Sequence, residues 1–283
     1  MNKKKCLVCD LTLEISSKYK GLLLCNGCGF LTADLKISNI QLEKLYGKDY
    51  FEDGEYTDYK SEKVALQLNF KKRINHIKSL SNVNENSKVF EIGCAHGFFL
   101  DLLKQQSLEA SGIDISKEAV QYAINSCDVD AHYGDFLKFK PKFSPDIICL
   151  WDAIEHIGNP RKYLEHANDI SAPGSYILIT TGDIASLNAR IRGPKWRMIH
   201  PPTHLHYFTK HSMVTLLNDV GYENITFLYP PVWRTIGSIL NAVIYKKFKA
   251  ERIKSWIDKI PGASLPVPLN LFDIMLVTAQ KKN

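Results

Sequence analysis

The stretch from Lys88 to Asp114 constrains the fold of this chain more than any other part of it. It reads K-V-F-E-I-G-C-A-H-G-F-F-L-D-L-L-K-Q-Q-S-L-E-A-S-G-I-D, so a short apolar run meets Gly93 and Gly97 and passes into a helical pattern. A second short apolar segment ends at the acid Asp114. This order predicts a βαβ unit in which the helix N-terminus and the acid bind a nucleoside.

The glycine spacing indicates whether the bound nucleoside carries a pyrophosphate. A pyrophosphate turn needs G-x-G-x-x-G, whereas this chain has Gly93, Ala95 and Gly97, with Phe98 where the last glycine would stand. Glu91, two residues before the first glycine, would repel a pyrophosphate. Both departures argue against a nicotinamide oxidoreductase. Ala95 is compatible with such a turn if its φ is negative.

The alternation of apolar and helical segments continues after this unit, which predicts a doubly wound α/β domain. The segment 146–151 is apolar on both faces and indicates a central parallel strand. Ser116 and Ser212 are expected to cap helices ending near residues 125 and 220. The other predicted elements are a helix over 161–170 and strands over 131–133, 175–181, 222–229 and 271–279.

Four cysteines precede this domain in two C-x-x-C pairs: Cys6, Cys9, Cys25 and Cys28. Two such pairs at this spacing predict a tetrahedral zinc ribbon over residues 1–35, because each pair chelates through one tight turn. A redox role is disfavoured, since neither pair opens a helix within a βαβ unit. The zinc would be structural, or the ribbon would contact a partner or substrate.

The acid and glycine turn, the Gly134-Asp135-Phe136 step and the D-A-I-E-H-I run from Asp152 to Ile157 resemble class I S-adenosylmethionine-dependent methyltransferases, in their small-molecule, ubiquinone-biosynthesis-like branch. The resemblance implies a Rossmann-like, seven-stranded, mostly parallel sheet with an antiparallel last strand, within residues 81–283. It also implies Glu91 near the cofactor's amino group, Asp135 on the adenine amino group and Phe136 against the adenine ring. The implied cofactor-binding residues are Glu91, Gly93, Cys94, Ala95, Gly97, Phe98, Asp114, Ile115, Asp135, Phe136, Trp151 and Asp152.

Ligands of open α/β sheets bind beyond the carboxyl ends of the strands, which is where Asp152, Glu155 and His156 follow the central strand. Two interpretations remain open. These three side chains could hold a divalent metal, or His156 could be a positioning residue while the acids accept from helix N-terminal amides.

The long connection 182–211 carries His200, His204 and His206 on the substrate side. Methyl transfer is an in-line displacement, yet a hydroxyl or amine acceptor must also lose a proton, and histidine titrates near working pH. We expect His204 to be the base, with His206 and His156 as further candidates. Chelation of a metal by His200, His204 and His206 is the alternative.

Two other segments accompany the sheet, one before the predicted domain and one inserted within it. Residues 36–80 should form a helical lead-in and lid, with a tyrosine-rich loop at 50–59 over the cofactor or substrate, followed by an amphipathic helix over 61–80. We expect Val64 on its apolar face and Arg73 on its solvated basic face. Residues 230–269 are a substrate-side insertion whose helix, near 236–249, could lie on a membrane, grip a lipid-linked substrate or form a dimer contact.

Composition limits the partners. A net charge of +6 from 36 basic and 30 acidic residues is too small for a dedicated nucleic-acid binder, but suits an anionic substrate. The absence of an apolar leader or membrane-spanning run leads us to expect a cytoplasmic enzyme. The family association suggests a sugar, glycan or lipid-linked biosynthetic intermediate as methyl acceptor. The alternative is an RNA- or protein-directed module that recognises its target through the ribbon.

Overall fold

The structure, a computed structural model, describes residues 4–35, 62–241, 260 and 262–282. The tyrosine-rich loop at 50–59 and most of the predicted helix near 236–249 lie outside these residues. The helices are α1 (Lys63–Lys78), α2 (Phe98–Lys104), α3 (Lys117–Cys127), α4 (Pro160–Ile170), α5 (Leu187–Arg192) and α6 (Lys210–Asp219).

The strands of the main sheet are β4 (Val89–Ile92), β5 (Ala110–Asp114), β6 (Asp130–Tyr133), β7 (Ile147–Trp151), β8 (Tyr176–Gly182), β10 (Tyr222–Leu228) and β13 (Ile274–Lys281). Their order is β10-β13-β8-β7-β4-β5-β6. β13 runs antiparallel to both β10 and β8, and the remaining pairs are parallel. The predicted seven-stranded, mostly parallel sheet is therefore confirmed.

Apolar side chains cover both faces of this sheet. Helices α1, α2 and α3 bury Phe70, Phe99 and other apolar residues against one face. Helices α4 and α6 bury Leu164, Leu216 and their neighbours against the other face. β7 is buried at every position, as the doubly apolar run 146–151 predicts.

The ribbon is built into the fold through a second sheet. Its strands β1 (Glu14–Ile15), β2 (Leu22–Leu24) and β3 (Leu31–Ala33) continue into β9 (His206–Tyr207) in the order β1-β2-β3-β9. The long connection 182–211 thus contains α5 and a strand that pairs with the ribbon. Isolated strands of two or three residues are marginal, so the pairing stabilises both the ribbon and the connection.

Three local expectations are wrong. Val64 is 56% exposed instead of lying on the apolar face of α1. Helix α6 is capped by Thr209, whose hydroxyl accepts from the backbone N–H of Ser212 at 3.0 Å, while the Ser212 hydroxyl accepts from the N–H of Thr209 at 2.8 Å. Ser212 is thus the third residue of a reciprocal capping box. Arg73 is largely buried, because it forms an ion pair with Asp152.

The late insertion is closed by a two-stranded antiparallel sheet of β11 (Val232–Thr235) and β12 (Pro266–Leu269). This small sheet packs on α1. The side-chain amide of Asn69 accepts from the Trp233 N–H at 2.7 Å and donates to the Trp233 carbonyl at 3.1 Å. The Thr235 hydroxyl donates to Glu62 at 2.7 Å. The lead-in helix and the described ends of the insertion therefore form one surface beside the sheet.

Candidate active site

The turn between β4 and α2 has three residues in left-handed conformation: Gly93 (φ +83°), Ala95 (φ +44°) and Gly97 (φ +73°). The condition under which Ala95 suits this turn, a negative φ, is therefore not met, and an L-residue there carries a cost of roughly 1 kcal/mol. A Cβ on Gly97 would lie 2.8 Å from the Cβ of Ala123, so the glycine permits close packing of α2 on α3. A Cβ on Gly93 would lie 3.0 Å from the Cβ of Ala153, which places the turn directly beside the exit of β7.

Asp114, the last residue of β5, binds this turn through hydrogen bonds. Its two carboxylate oxygens accept from the N–H groups of Ala95 and Ser116, both at 2.8 Å. Burial raises the pKa of Asp114, and these backbone donors oppose that rise. A carboxylate offers about four acceptor positions, so the remaining two can accept from ribose hydroxyls.

Glu91 has the geometry of a receptor for a buried donor. It is 2% exposed, and its Oε2 atom makes no hydrogen bond within the described part of the chain. Burial raises the pKa of Glu91 well above its usual range, and the nearby Arg73 opposes this shift. A buried carboxyl oxygen that lacks a donor fits the ammonium group of S-adenosylmethionine, which would restore both the hydrogen bond and the charge balance.

Some of the other predicted cofactor contacts are fully buried, and some are partly exposed. The side chains of Cys94, Phe98 and Phe136 are 4%, 1% and 2% exposed and belong to the core. The Phe136 ring lies 5.4 Å from that of Tyr163 and is enclosed by protein. Ile115 and Asp135 are only partly buried, so they remain accessible to an adenine. The Asp135 carboxylate also accepts from the Leu137 N–H at 3.1 Å.

Asp152 stands at the exit of β7 in a left-handed conformation, with φ +52°. Its carboxylate is bound by the Arg73 guanidinium at 2.9 Å, and that guanidinium lies over the Trp151 ring at 4.8 Å. Burial raises the pKa of Asp152, but the charge and hydrogen bond of Arg73 outweigh it, so the net shift is downward. The expectation that Arg73 faces solvent is wrong, because its side chain is only 12% exposed.

Three histidine rings lie close together after the Asp152–Arg73 ion pair. The rings of His156 and His204 have centroids 4.6 Å apart, and His200 lies 3.8 Å from His204. The Nδ1 atoms of His156 and His204 each lie 2.9 Å from a backbone carbonyl, of Thr203 and Met198. A carbonyl can only accept, so Nδ1 carries a proton in each ring, and Nε2 is the nitrogen that can take up or release one.

Glu155 completes this group. Candidate ligand atoms of Glu155, His156 and His204, which we name the acid–histidine cluster, lie within 4.8 Å of one another. The cluster could hold a divalent cation or act as a hydrogen-bonded acid–base network. Asp152 is engaged by Arg73, so the cluster differs from the Asp152, Glu155 and His156 set that the sequence suggests.

His206 is placed differently from the cluster. Its Nε2 atom lies 2.8 Å from the Ile157 carbonyl and its Nδ1 atom lies 3.0 Å from the Thr32 hydroxyl. Burial lowers the pKa of His206 to about 4, opposed by the backbone hydrogen bond to Ile157. With both nitrogens engaged, the ring is placed to link segments of the chain, and neither nitrogen faces a substrate.

The four ribbon cysteines converge as predicted. The Sγ atoms of Cys6, Cys9, Cys25 and Cys28 lie within 4.8 Å of one another. The Cys6–Cys28 and Cys9–Cys25 pairs are 3.7 and 3.4 Å apart. Tetrahedral zinc with Zn–S bonds of about 2.3 Å separates sulfurs by about 3.8 Å, so the donor set fits this ion.

Arg73 and Asp273 are the residues at the site that sequence reasoning missed. Asp273 is 2% exposed on its side chain and accepts from Trp196 Nε1 at 2.8 Å and from Asn188 at 2.6 Å. Arg197 also binds it, and these donors lower its pKa against the effect of burial. Asp273 thereby holds the connection 182–211 onto β13. No local pattern marks it, because its partners are 76 to 85 residues away.

The strand order, the glycine turn, the acid at the end of β5 and the orphaned buried Glu91 together define a class I S-adenosylmethionine-dependent methyltransferase. A family model described as "Methyltransferase domain" matches residues 67–226, which is more than half of the chain. The chain belongs to this family.

Individual relatives are distant. A ubiquinone biosynthesis O-methyltransferase of Shewanella pealeana is 20% identical over 193 residues, covering 62% of this chain and 78% of the relative. Most of the matching curated relatives are aligned over less than half of their own length.

Solved structures share the fold. A SAM-dependent methyltransferase from Archaeoglobus fulgidus aligns with a TM-score of 0.52 at 18% identity, covering 77% of this chain and 94% of that chain. Magnesium protoporphyrin IX methyltransferase from Synechocystis PCC 6803, with bound SAH, aligns at 0.51 and 12% identity, covering 88% and 90%. Among the described residues, no helix has the length and apolarity needed to cross a membrane.

Proposed function

We propose that this methyltransferase alkylates a hydroxyl group of a small-molecule, sugar or lipid-linked biosynthetic intermediate. The observation that carries the proposal is the pair of His156 and His204 rings, whose centroids lie 4.6 Å apart; His156 follows the exit of β7, which adjoins the cofactor turn. An oxygen nucleophile needs such a base, and the relatives named O-methyltransferases support an oxygen acceptor.

Each part of the site has a distinct task in this proposal. When bound, S-adenosylmethionine supplies an electrophilic methyl group whose sulfur leaves as a neutral thioether. Glu91 binds the ammonium, Asp114 binds the ribose hydroxyls, and Asp135 and Ile115 border the adenine. His204 Nε2 takes the proton of the acceptor hydroxyl, His156 lies beside it, and the Glu155 carboxylate is close enough to balance the positive charge that develops on the imidazole.

The ribbon is proposed to hold one zinc ion through Cys6, Cys9, Cys25 and Cys28. An RNA- or protein-directed role for the ribbon is less supported, because one edge of its sheet is covered by β9 of the same chain. That alternative predicts retention on RNA that falls steeply with salt.

The test begins with calorimetry, in which S-adenosylhomocysteine should bind and NAD should not. A methyl-transfer screen then compares phenols, nucleotide sugars and lipid-linked sugars with RNA. His204→Gln should retain cofactor affinity and lose turnover by roughly 100-fold or more. His211→Gln, at an exposed histidine of α6, is the matched control. Normal turnover of His204→Gln would refute the base assignment.

A further inference from the structure

We propose that the cysteine ribbon positions the acid–histidine cluster, and that Thr32 and His206 are the positioning residues through which it acts. The proposal deepens the function above and rests on the role given there to His204. It assigns the ribbon a task beyond stabilising the fold, because its third strand fixes the two segments that carry the candidate base and its neighbour.

The first link runs from the ribbon to the segment of His204. Strand β3 pairs antiparallel with β9, with Thr32 opposite His206. The Ala33 N–H donates to the Leu205 carbonyl at 2.7 Å, and the Tyr207 hydroxyl donates to the His204 carbonyl at 3.0 Å. The backbone on the carboxyl side of His204 is therefore held by the ribbon.

The second link runs on to the segment of His156. The Leu205 N–H donates to the Glu155 carbonyl at 2.8 Å. His206 Nε2 donates to the Ile157 carbonyl at 2.8 Å, which leaves Nδ1 to accept from the Thr32 hydroxyl at 3.0 Å. The residues on both sides of His156, Glu155 and Ile157, thus accept hydrogen bonds from this segment. The bond to Ile157 connects it to Thr32 of the ribbon through the His206 imidazole.

The cysteines set the position of β3. The Cys25 N–H donates to the Phe30 carbonyl at 2.9 Å, so the second knuckle leads directly into this strand. The Thr209 hydroxyl donates to the Cys28 carbonyl at 3.3 Å, and the Phe30 ring lies 5.4 Å from that of His206. Strands β2 and β3 are three residues each, too short to hold a register without the thiolate-bound metal.

The ring signals of His156 and His204 distinguish a ribbon that positions these residues from one that only stabilises the fold. The full chain, labelled with ¹⁵N-histidine, gives long-range ¹H–¹⁵N spectra in which His156 and His204 are assigned from their Gln variants. Thr32→Val removes the hydroxyl and keeps the shape, Thr32→Ser restores it, and Thr12→Val changes a threonine elsewhere in the ribbon. Stripping the metal from the wild-type chain with a chelator is the second perturbation.

The expected result is that Thr32→Val shifts the ring signals of His156 and His204 and lowers turnover by on the order of 10- to 100-fold. Thr32→Ser should restore both, and Thr12→Val should change neither. Calorimetry with S-adenosylhomocysteine should give affinities within about twofold for all variants, because this path does not include the cofactor turn.

Unchanged His156 and His204 signals in Thr32→Val would overturn the proposal. If that variant does not fold, the same signals are followed during chelation of the wild type, where an unchanged spectrum before global unfolding would overturn it equally. Failure of S-adenosylhomocysteine to bind would instead refute the proposed function and leave the spectral coupling as a separate result.

Discussion

The ion pair between Arg73 and Asp152 gives the sharpest energetic test of the site. At an effective dielectric of about 20, two charges 4 Å apart attract by roughly 4 kcal/mol, before desolvation. The arginine side chain is 12% exposed and the aspartate 35% exposed, so solvent screening and desolvation remove much of this attraction. We expect a net coupling of about 1–2 kcal/mol.

A double-mutant cycle measures this coupling. Arg73→Met keeps the apolar stem, and Asp152→Asn keeps a side chain that tolerates the left-handed conformation at φ +52°. Arg73→Met alone should cost about 2–3 kcal/mol in the free energy of unfolding by urea, because it also loses the stacking on Trp151. Lys71→Met, on the exposed side of the same helix, is the control and should change stability by less than about 0.5 kcal/mol.

The pH dependence tests the sign of the coupling. The net pKa of Asp152 is lowered in the folded chain, so the stabilisation is present above the ordinary carboxyl pKa and is lost as pH falls through the folded value. The coupling should therefore be full at pH 7 and shrink toward zero below about pH 4. A coupling under about 0.3 kcal/mol at pH 7, or one that persists unchanged in acid, would refute the reasoning.

Three further predictions concern the turn and the ribbon. Asp114→Ala should weaken S-adenosylhomocysteine binding by roughly 30- to 100-fold in calorimetry, and unchanged affinity would contradict its ribose role. Ala95→Gly should leave stability in urea unchanged or raise it by up to about 1 kcal/mol, since relief of the left-handed alanine opposes the extra chain entropy; a clear loss would contradict it. Elemental analysis should find about one zinc per chain, lost in Cys25→Ser and kept in Cys127→Ser, while a second divalent ion would assign the acid–histidine cluster to metal.

The sheet could be predicted from the sequence because its signals are local. An apolar run that ends at glycines, or a segment apolar on both faces, marks a strand without reference to the rest of the chain. The converging cysteines are equally local, since each C-x-x-C turn brings two sulfurs together. These features follow from neighbours within a few residues, so the seven-stranded sheet and the Cys₄ group agree with the structure.

The partners of buried polar groups could not be predicted, because they are distant in sequence. Arg73 meets Asp152 across 79 residues, and Thr32 meets His206 across 174. The burial of Arg73 could nonetheless have been predicted from the sequence. Phe70, Arg73, Ile74 and Ile77 have the i, i+3, i+4, i+7 spacing of a buried helical stripe, so the arginine occupies a core position and requires a buried acid.

His206 shows how the same residue type divides between chemistry and architecture. The spacing H-x-x-x-H-x-H gives no reason to separate His204 from His206, and both follow the same pair of prolines. They are two residues apart, a spacing that places both side chains on one face of an extended segment, so strand geometry alone does not distinguish them. The distinction comes from their contacts. His206 has both nitrogens engaged by Thr32 and Ile157, while His204 donates through Nδ1 to a backbone carbonyl and has a ring nitrogen within 4.8 Å of ligand atoms of Glu155 and His156. A histidine whose two nitrogens are held by a backbone carbonyl and a threonine is suited to positioning, and one that lies beside a buried acid and a second imidazole is suited to proton transfer.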